Sequence, residues 1–384
     1  MPNATRNAIL TVVFFLAAHA AAEPAFLPRR DFGSDIVRLP NAIAIDDFNH
    51  DSIPDLAVVN IGSGGVSVMI GNGDGTFSFH GAIAEYDIRN GAVGVATGDF
   101  NGDGHVDLAV TAQFGDSVQL LLGTGLGDFR PGPVVPAGLH PGPIAAGDFN
   151  GDTIPDLLVV NAVFFGSISV LLGNGDGTFQ APLTFPTGEL PGSLVVADFN
   201  GDGIADVAVP ALSDRGRHEI DVLLGRGDGT FGPVQIVDSG NNFGVLASAD
   251  FNGDAIPDLV MTLPTGFQIL FGNGDGTFGA PLTRSLSSLT SQLAAADLDG
   301  DGKVDLVVSN SIVFGATAER PITITVLGGN GDGTFGEERM FQTGNQPSVI
   351  AIQDLNGDNQ PDLVVADTGS FTVSVLVNNS NQQR

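Results

Sequence analysis

The chain has no cysteine, no tryptophan and a single tyrosine, Tyr86. Without cysteine there is no disulfide, no thiolate metal site and no lipid-modified N-terminal thiol. Basic residues are scarce too: 14 Lys and Arg stand against 44 Asp and Glu, a formal net charge of −30. A surface this acidic repels phosphate backbones and anionic headgroups, so nucleic acid and acidic membranes are poor partners. No internal run approaches the ~20 apolar residues that span a bilayer. Neither HExxH nor GxSxG occurs, so the zinc-protease and serine-hydrolase signatures are missing. The sequence reads as a non-enzyme.

What is abundant is Gly, at 54 residues, with 22 Pro and 42% hydrophobic residues. That balance suits many short strands joined by tight turns. At the N-terminus Arg6 precedes the short apolar run Ile9–Ala18, and Ala20-Ala21-Ala22 offers a small-residue cleavage site before Glu23. Residues 1–22 are therefore expected to be a secretory signal cleaved near Ala22, placing the protein outside the cell or in a periplasm.

An internal repeat sets the architecture. DFNHDSIPD at Asp47–Asp55 returns at Asp99–Asp107, Asp148–Asp156, Asp198–Asp206, Asp250–Asp258, Asp297–Asp305 and Asp354–Asp362, with steps of 52, 49, 50, 52, 47 and 57 residues. Each copy follows a run of small apolar residues such as Ala42–Ile45 and precedes a second run such as Asp55–Asn60. A third, alternating run such as Val66–Ile70 reads as a half-buried strand. It ends in a Gly-rich turn, GNGDGTF at Gly71–Phe77, and a variable fourth segment follows. Four antiparallel strands per unit of about 50 residues describe a propeller blade. The expected fold is all-β, a seven-bladed β-propeller over residues 23–377 with a polar tail at 378–384. The last repeat lacks its fourth strand, and Phe26–Leu39 has the length to supply it. Closure by that N-terminal strand would leave no open edge.

The spacing D-x-[DN]-x-D-x-x-x-D puts side-chain oxygens at loop positions one, three, five and nine, with a backbone carbonyl expected at seven. The first loop offers Asp47, Asn49, Asp51, Ile53 and Asp55, and the second Asp99, Asn101, Asp103, His105 and Asp107. The third holds Asp148, Asn150, Asp152, Ile154 and Asp156, and the fourth Asp198, Asn200, Asp202, Ile204 and Asp206. Asp250, Asn252, Asp254, Ile256 and Asp258 form the fifth, and Asp297, Asp299, Asp301, Lys303 and Asp305 the sixth. Asp354, Asn356, Asp358, Gln360 and Asp362 complete the set. Hard oxygen donors in a tight loop suit Ca²⁺, whereas Mg²⁺ resists dehydration and Zn²⁺ would want His or Cys. The loops hold 22 of the 44 acidic residues. Losing Arg6 with the signal leaves −31, which seven Ca²⁺ would bring to −17. The bland alternative is a set of Asx turns, since Asp and Asn favour turns without any ion. Position six, where a sharp turn favours Gly, is Gly only at Gly104, Gly203 and Gly302. Neighbouring blades are expected to hold independent loops.

These motifs resemble FG-GAP and VCBS-type repeats across Ala25–Val377. The resemblance implies a propeller like the head of integrin α chains, with calcium between the first and second strands and ligand bound on the other face. Related repeats occur in adhesion proteins, lectins and enzyme appendages, so the fold is better defined than the function.

Arg226-Gly227-Asp228 spells an adhesion tripeptide but occupies the Gly-rich turn register, and Asp367-Thr368-Gly369-Ser370 has no second copy to form a carboxylate dyad. The repeat is broken instead at Ser213–Glu219 and Ser311–Arg320. Arg215, Arg217, His218, Glu319 and Arg320 are the candidate partner contacts, on the face opposite the Asp loops. The expected activity is that of a secreted, monomeric interaction or adhesion module binding an extracellular protein or glycan. A calcium-dependent lectin is the alternative, and a hydrolase or lyase on a propeller scaffold comes third. The lack of Trp and Tyr, which stack well on sugar rings, weighs against a lectin.

Overall fold

The structure is a computed structural model that describes residues 23–33, 37–79, 86–88, 91–213, 215–240, 242, 244–311 and 323–380. Seven antiparallel sheets follow one another along the chain, six of four strands and the first of five, in sequence order except in the last. The third blade is representative: Pro141–Gly147 pairs with Asp156–Asn161, which pairs with Ser167–Leu171, which pairs with Leu183–Pro186. In the first blade the third strand, Gly65–Gly71, takes two short outer partners, Phe77–Phe79 and Tyr86–Asp87. The fold is a seven-bladed β-propeller.

The last blade mixes both ends of the chain. Arg30–Phe32 pairs antiparallel with Thr372–Leu376, setting Arg30 opposite Val375 and Phe32 opposite Val373. Phe26 bridges Asn378, and Ala25 exchanges hydrogen bonds with Ser380 and Asn379. Asn378 and Ser380 are buried, so the ring runs through Ser380.

Burial follows distance from the axis. The first strands, such as Pro40–Asp46 with its small residues, are half-buried around the central channel. Second strands such as Asp55–Asn60 are buried at every position, because a neighbouring blade covers each face. The third strands correct an expectation. Their alternation suggested one wet face, yet Gly65–Gly71 is buried throughout, including Ser67. Stacking hides both faces, and the alternate polar residue survives because it is hydrogen-bonded. Asn60 Nδ2 donates to Ser67 Oγ at 2.8 Å, and Asn161 donates to Ser169 at 2.9 Å.

The core lies between blades. Phe48 of the first Asp loop meets Phe129 of the second blade edge-on at 5.3 Å, and Phe199 meets Phe278 of the next blade at 5.4 Å. The repeated Phe of the Asp loop and the repeated Phe of the Gly-rich turn are thus partners across blade boundaries. Each such pair adds about 0.5–1.5 kcal/mol beyond its area burial.

Candidate metal loops and the opposite face

Every Asp loop joins the first and second strands of its blade, at the end where the Gly-rich turn joins the third and fourth. All seven loops and all the Gly-rich turns therefore share one face of the ring. Within a loop the Asx side chains organise the backbone. Asp198 accepts from the N–H groups of Gly201, Asp202 and Gly203 at 2.7 to 3.1 Å. Asn200 Oδ1 accepts from Asp202 N, and Asp202 Oδ1 from Ile204 N. Position six adopts positive φ in every loop: 81–83° at Gly203, Gly302 and Gly104, and 61–68° at Ser52, Thr153, Ala255 and Asn359. The four side-chain-bearing loops keep the Gly geometry and bear its steric cost.

The ninth-position carboxylate does most to hold the site. Asp206 Oδ2 accepts from Phe199 N at 2.9 Å, and Oδ1 accepts from Gly225 N at 2.8 Å. Its equivalents repeat both bonds, down to Asp362 with Leu355 N and Asn378 N. These aspartates are buried. Loss of hydration pushes their carboxyls up, to about 6 at Asp55, Asp107, Asp258 and Asp362 and about 7 at Asp305. The backbone N–H bonds offset part of that rise, and the other loop carboxylates add to it. In the sixth loop Asp297, Asp299 and Asp305 bring oxygens within 4.8 Å of one another, the one such trio of acidic or imidazole groups among the described residues. In five of the six loops with Asn at position three, Asn101 being the exception, the Asn amide takes the fifth-position carboxylate, as Asn49 does Asp51 at 2.9 Å. Lys303 Nζ likewise sits 3.0 Å from Asp301 Oδ2.

The loops are not independent. In the turns of the second to sixth blades, the N–H of the third Gly donates to the second loop residue of the preceding blade. Gly127 bonds Phe48 O, Gly177 bonds Phe100 O and Gly276 bonds Phe199 O, all at 2.8 to 3.0 Å. Asn378 Nδ2 serves the same end with Leu298 O at 2.6 Å. The first Gly of each turn is needed for a different reason: a Cβ on Gly225 would lie 2.3 Å from the Ala205 carbonyl. The position-seven side chain packs on the middle Gly, as Ile204 does on Gly227, a role its expected carbonyl did not predict. His50 and His105 add a contact between the first two blades, Nε2 to Nδ1 at 2.8 Å. Asp228 of the Arg-Gly-Asp tripeptide is held by the Thr230 N–H and hydroxyl at 3.0 and 2.6 Å. The hydroxyl keeps that carboxyl below its usual range. It is a turn component.

The opposite face carries the second-to-third turns and the blade-to-blade connections. Arg215 and Arg217 are exposed there on a turn closed by Ser213 N to Arg217 O at 2.8 Å. Arg217 and His218 border an open depression of about 450 Å³ with Asp238 and Gly240. Glu319 and Arg320 lie outside the described residues. The channel mouth on this face is a depression of about 660 Å³ without a charged lining residue. Its hydroxyls are engaged: Ser348 donates to Pro40 O, and Ser193 accepts from Leu246 N.

Two features of this face escaped the sequence reading. One is apolar exposure. Leu39, Ile61, Phe114, Leu139, Phe164, Phe165, Leu190 and Phe371 are all exposed here, against Leu126 alone among the Asp loops and Gly-rich turns. Two consecutive Phe, Phe164 and Phe165, in a second-to-third turn were the available signal. The other is Asp367, buried at the far end of the last second strand and pushed up to about 7 by desolvation. Ser374 Oγ lies 2.6 Å from Asp367 Oδ2 and 2.9 Å from Asp31 Oδ1 on the closing strand. The single hydroxyl proton of Ser374 can serve only one of these two carboxylates at a time.

Residues 47–110, 99–159, 148–209 and 250–308, more than half of the chain, match the model of the FG-GAP-like repeat. The chain belongs to that family. No curated protein sequence matches it. Among solved structures it is similar to an Agrocybe aegerita lectin that recognises non-reducing terminal N-acetylglucosamine, at 21% identity and TM-score 0.57, covering 88% of this chain and 85% of that one. It is also similar to the BP39L lectin of Burkholderia pseudomallei, at 14% identity and TM-score 0.65, covering 88% and 94%. A third similar structure is BBS1N in complex with ARL6DN, at 11% identity and TM-score 0.58, covering 92% and 96%. At these identities the likeness is one of fold. Among the described residues no helix is long and apolar enough to cross a membrane.

Proposed function

We propose that this chain is a secreted interaction module whose Asp loops hold calcium in a structural role and whose opposite face binds an extracellular partner. The observation that carries this reading is the division between the faces. On one, the repeated residues are consumed in bonds within and between blades; on the other, loops of differing length and sequence stand on a rigid ring. Recognition usually resides on such loops. The donor set suits Ca²⁺: hard oxygens from positions one, three, five and nine, with Lys303 beside Asp301 the one basic side chain paired with a loop carboxylate among the described residues. Bound calcium would supply positive charge against the mutual repulsion of those carboxylates.

Arg215, Arg217 and His218, with Glu319 and Arg320 from the other break in the repeat, are proposed to contact the partner. The lectin neighbours support a glycan partner as a second reading, and the BBS1N complex supports a protein. The test is a glycan array beside a pull-down from the native medium, each in calcium and in EDTA. Charge reversal of Arg215 and Arg217 should weaken the captured interaction at least tenfold, while Arg226→Ala should leave it unchanged. Loss of binding in Arg226→Ala with full binding in the double reversal would place recognition on the other face.

A further inference from the structure

We infer that the face opposite the Asp loops also carries a self-association surface, built on Phe114, Leu139, Phe164 and Phe165, whose occupant is a second copy of this chain. The inference goes beyond the partner binding proposed above and replaces the monomer expected from sequence. These side chains come from three connections far apart in sequence, yet the connections form one hydrogen-bonded strip. Ala137 N donates to Asp116 O at 3.1 Å and His140 N to Asp116 Oδ1 at 2.8 Å. Ala162 N donates to His140 O at 3.2 Å, and Leu190 N to Val163 O at 3.0 Å. Along that strip Phe114 is 73% exposed, Leu139 60%, Phe164 70% and Phe165 90%. A Phe side chain presents roughly 200 Å², so the three rings alone expose about 450 Å². Scattered apolar residues need no explanation, but this much apolar area on one hydrogen-bonded strip marks an interaction site. The backbone beneath is strained: Asp116, His140 and Leu190 hold φ of 49–50°, a cost that concentrates at functional sites.

Charge selects the occupant. The Asp loops and the six aspartates of the Gly-rich turns put 28 of the 44 acidic residues on the other face. The strip carries only Asp116, His140 and Glu189 as titratable groups. Two copies of a chain at −30 therefore meet with least repulsion when these strips face each other and the acidic faces point apart. Twofold pairing of one patch with itself is the commonest form of assembly. A standard interface needs about 800 Å² per partner, and the rings supply more than half of that as an apolar centre, with the polar connections as rim.

Sedimentation equilibrium of the chain expressed from its full sequence, from 1 to about 100 μM in calcium, reads this directly. A dimer is expected, with its dissociation constant raised at least tenfold by Phe165→Asp or Phe114→Asp and unmoved by Leu126→Asp on the acidic face. Both rings are exposed, so the variants should melt with the parent, and the melt is recorded to show it. A monomer across the whole range overturns the inference, as does a dimer indifferent to both substitutions. Phosphatidylcholine vesicles are cosedimented in parallel. Binding of a monomeric chain to them, lost in Phe165→Asp, would assign the patch to a lipid surface and equally reject a second copy.

Discussion

The last second strand begins and ends on a buried aspartate, and the two teach how differently the faces of this ring are built. At the Asp-loop end stands Asp362, whose oxygens accept from Leu355 and Asn378 N–H groups. The same arrangement occurs in all seven blades. At the other end stands Asp367, tied to Ser374 and, through it, to Asp31 of the closing strand. Its counterparts are Asn60, Asn161 and Asn310 in three blades and Ala112, Ala211 and Leu263 in the others, so Asp367 is the one carboxylate at a position that varies. The repeated face is a lattice of bonds that any blade can supply. The opposite face is free to vary, and its exceptions mark closure, exposed aromatics and basic loops. Stability belongs chiefly to the first face and specificity to the second.

Removing calcium tests that division most severely. At ten times a Kd in the extracellular range, each occupied loop adds about 1.4 kcal/mol. With most loops filled, EDTA should lower the melting temperature by on the order of 10 °C. Coincident melting curves in EDTA and in millimolar calcium would remove the metal from the argument and leave the Asx bonds alone.

A smaller effect separates the two roles of the loop carboxylates. Asp206→Ala should cost about 2–5 kcal/mol even in EDTA, because the buried N–H groups of Phe199 and Gly225 lose their acceptor. Asp202→Ala, exposed and bonded only within its own loop, should cost under about 1 kcal/mol in EDTA and remove about one bound ion in calcium. Urea unfolding with metal analysis gives both numbers, and equal costs in EDTA would refute the bridging role of the ninth position.

The most local expected effect is confined to the closing blade. Asp367 titrates in the fold at about 7 against an ordinary 3.8, so the folded state binds a proton that the unfolded state has released. Its contribution is full below about pH 4 and lost as pH rises through 7. Asp367→Asn should remove on the order of 2–4 kcal/mol of that pH dependence. The comparison is made in saturating calcium, where loop carboxylates are held ionised. Parallel stability profiles for the parent and Asp367→Asn between pH 5 and 8 would mean that Asp367 is already ionised in the fold.

Much of this was legible in the chain itself. The spacing of the Asp motif, the small residues before it and the Gly-rich turn after the third run determined seven four-stranded units and the missing strand that Arg30–Phe32 completes. Those signals are local: each rests on backbone periodicity and turn stereochemistry within a few residues. The tertiary structure alone decided what lies across a blade boundary. That Phe48 meets Phe129, that Gly127 bonds Phe48 O, and that Ser67 is buried all depend on how neighbouring sheets stack. The gathering of Phe114, Leu139, Phe164 and Phe165 depends on the same stacking, which brings the connections of successive blades into one hydrogen-bonded strip. Period-two patterning says which way a side chain points along its strand, but the closing of the ring determines what it meets.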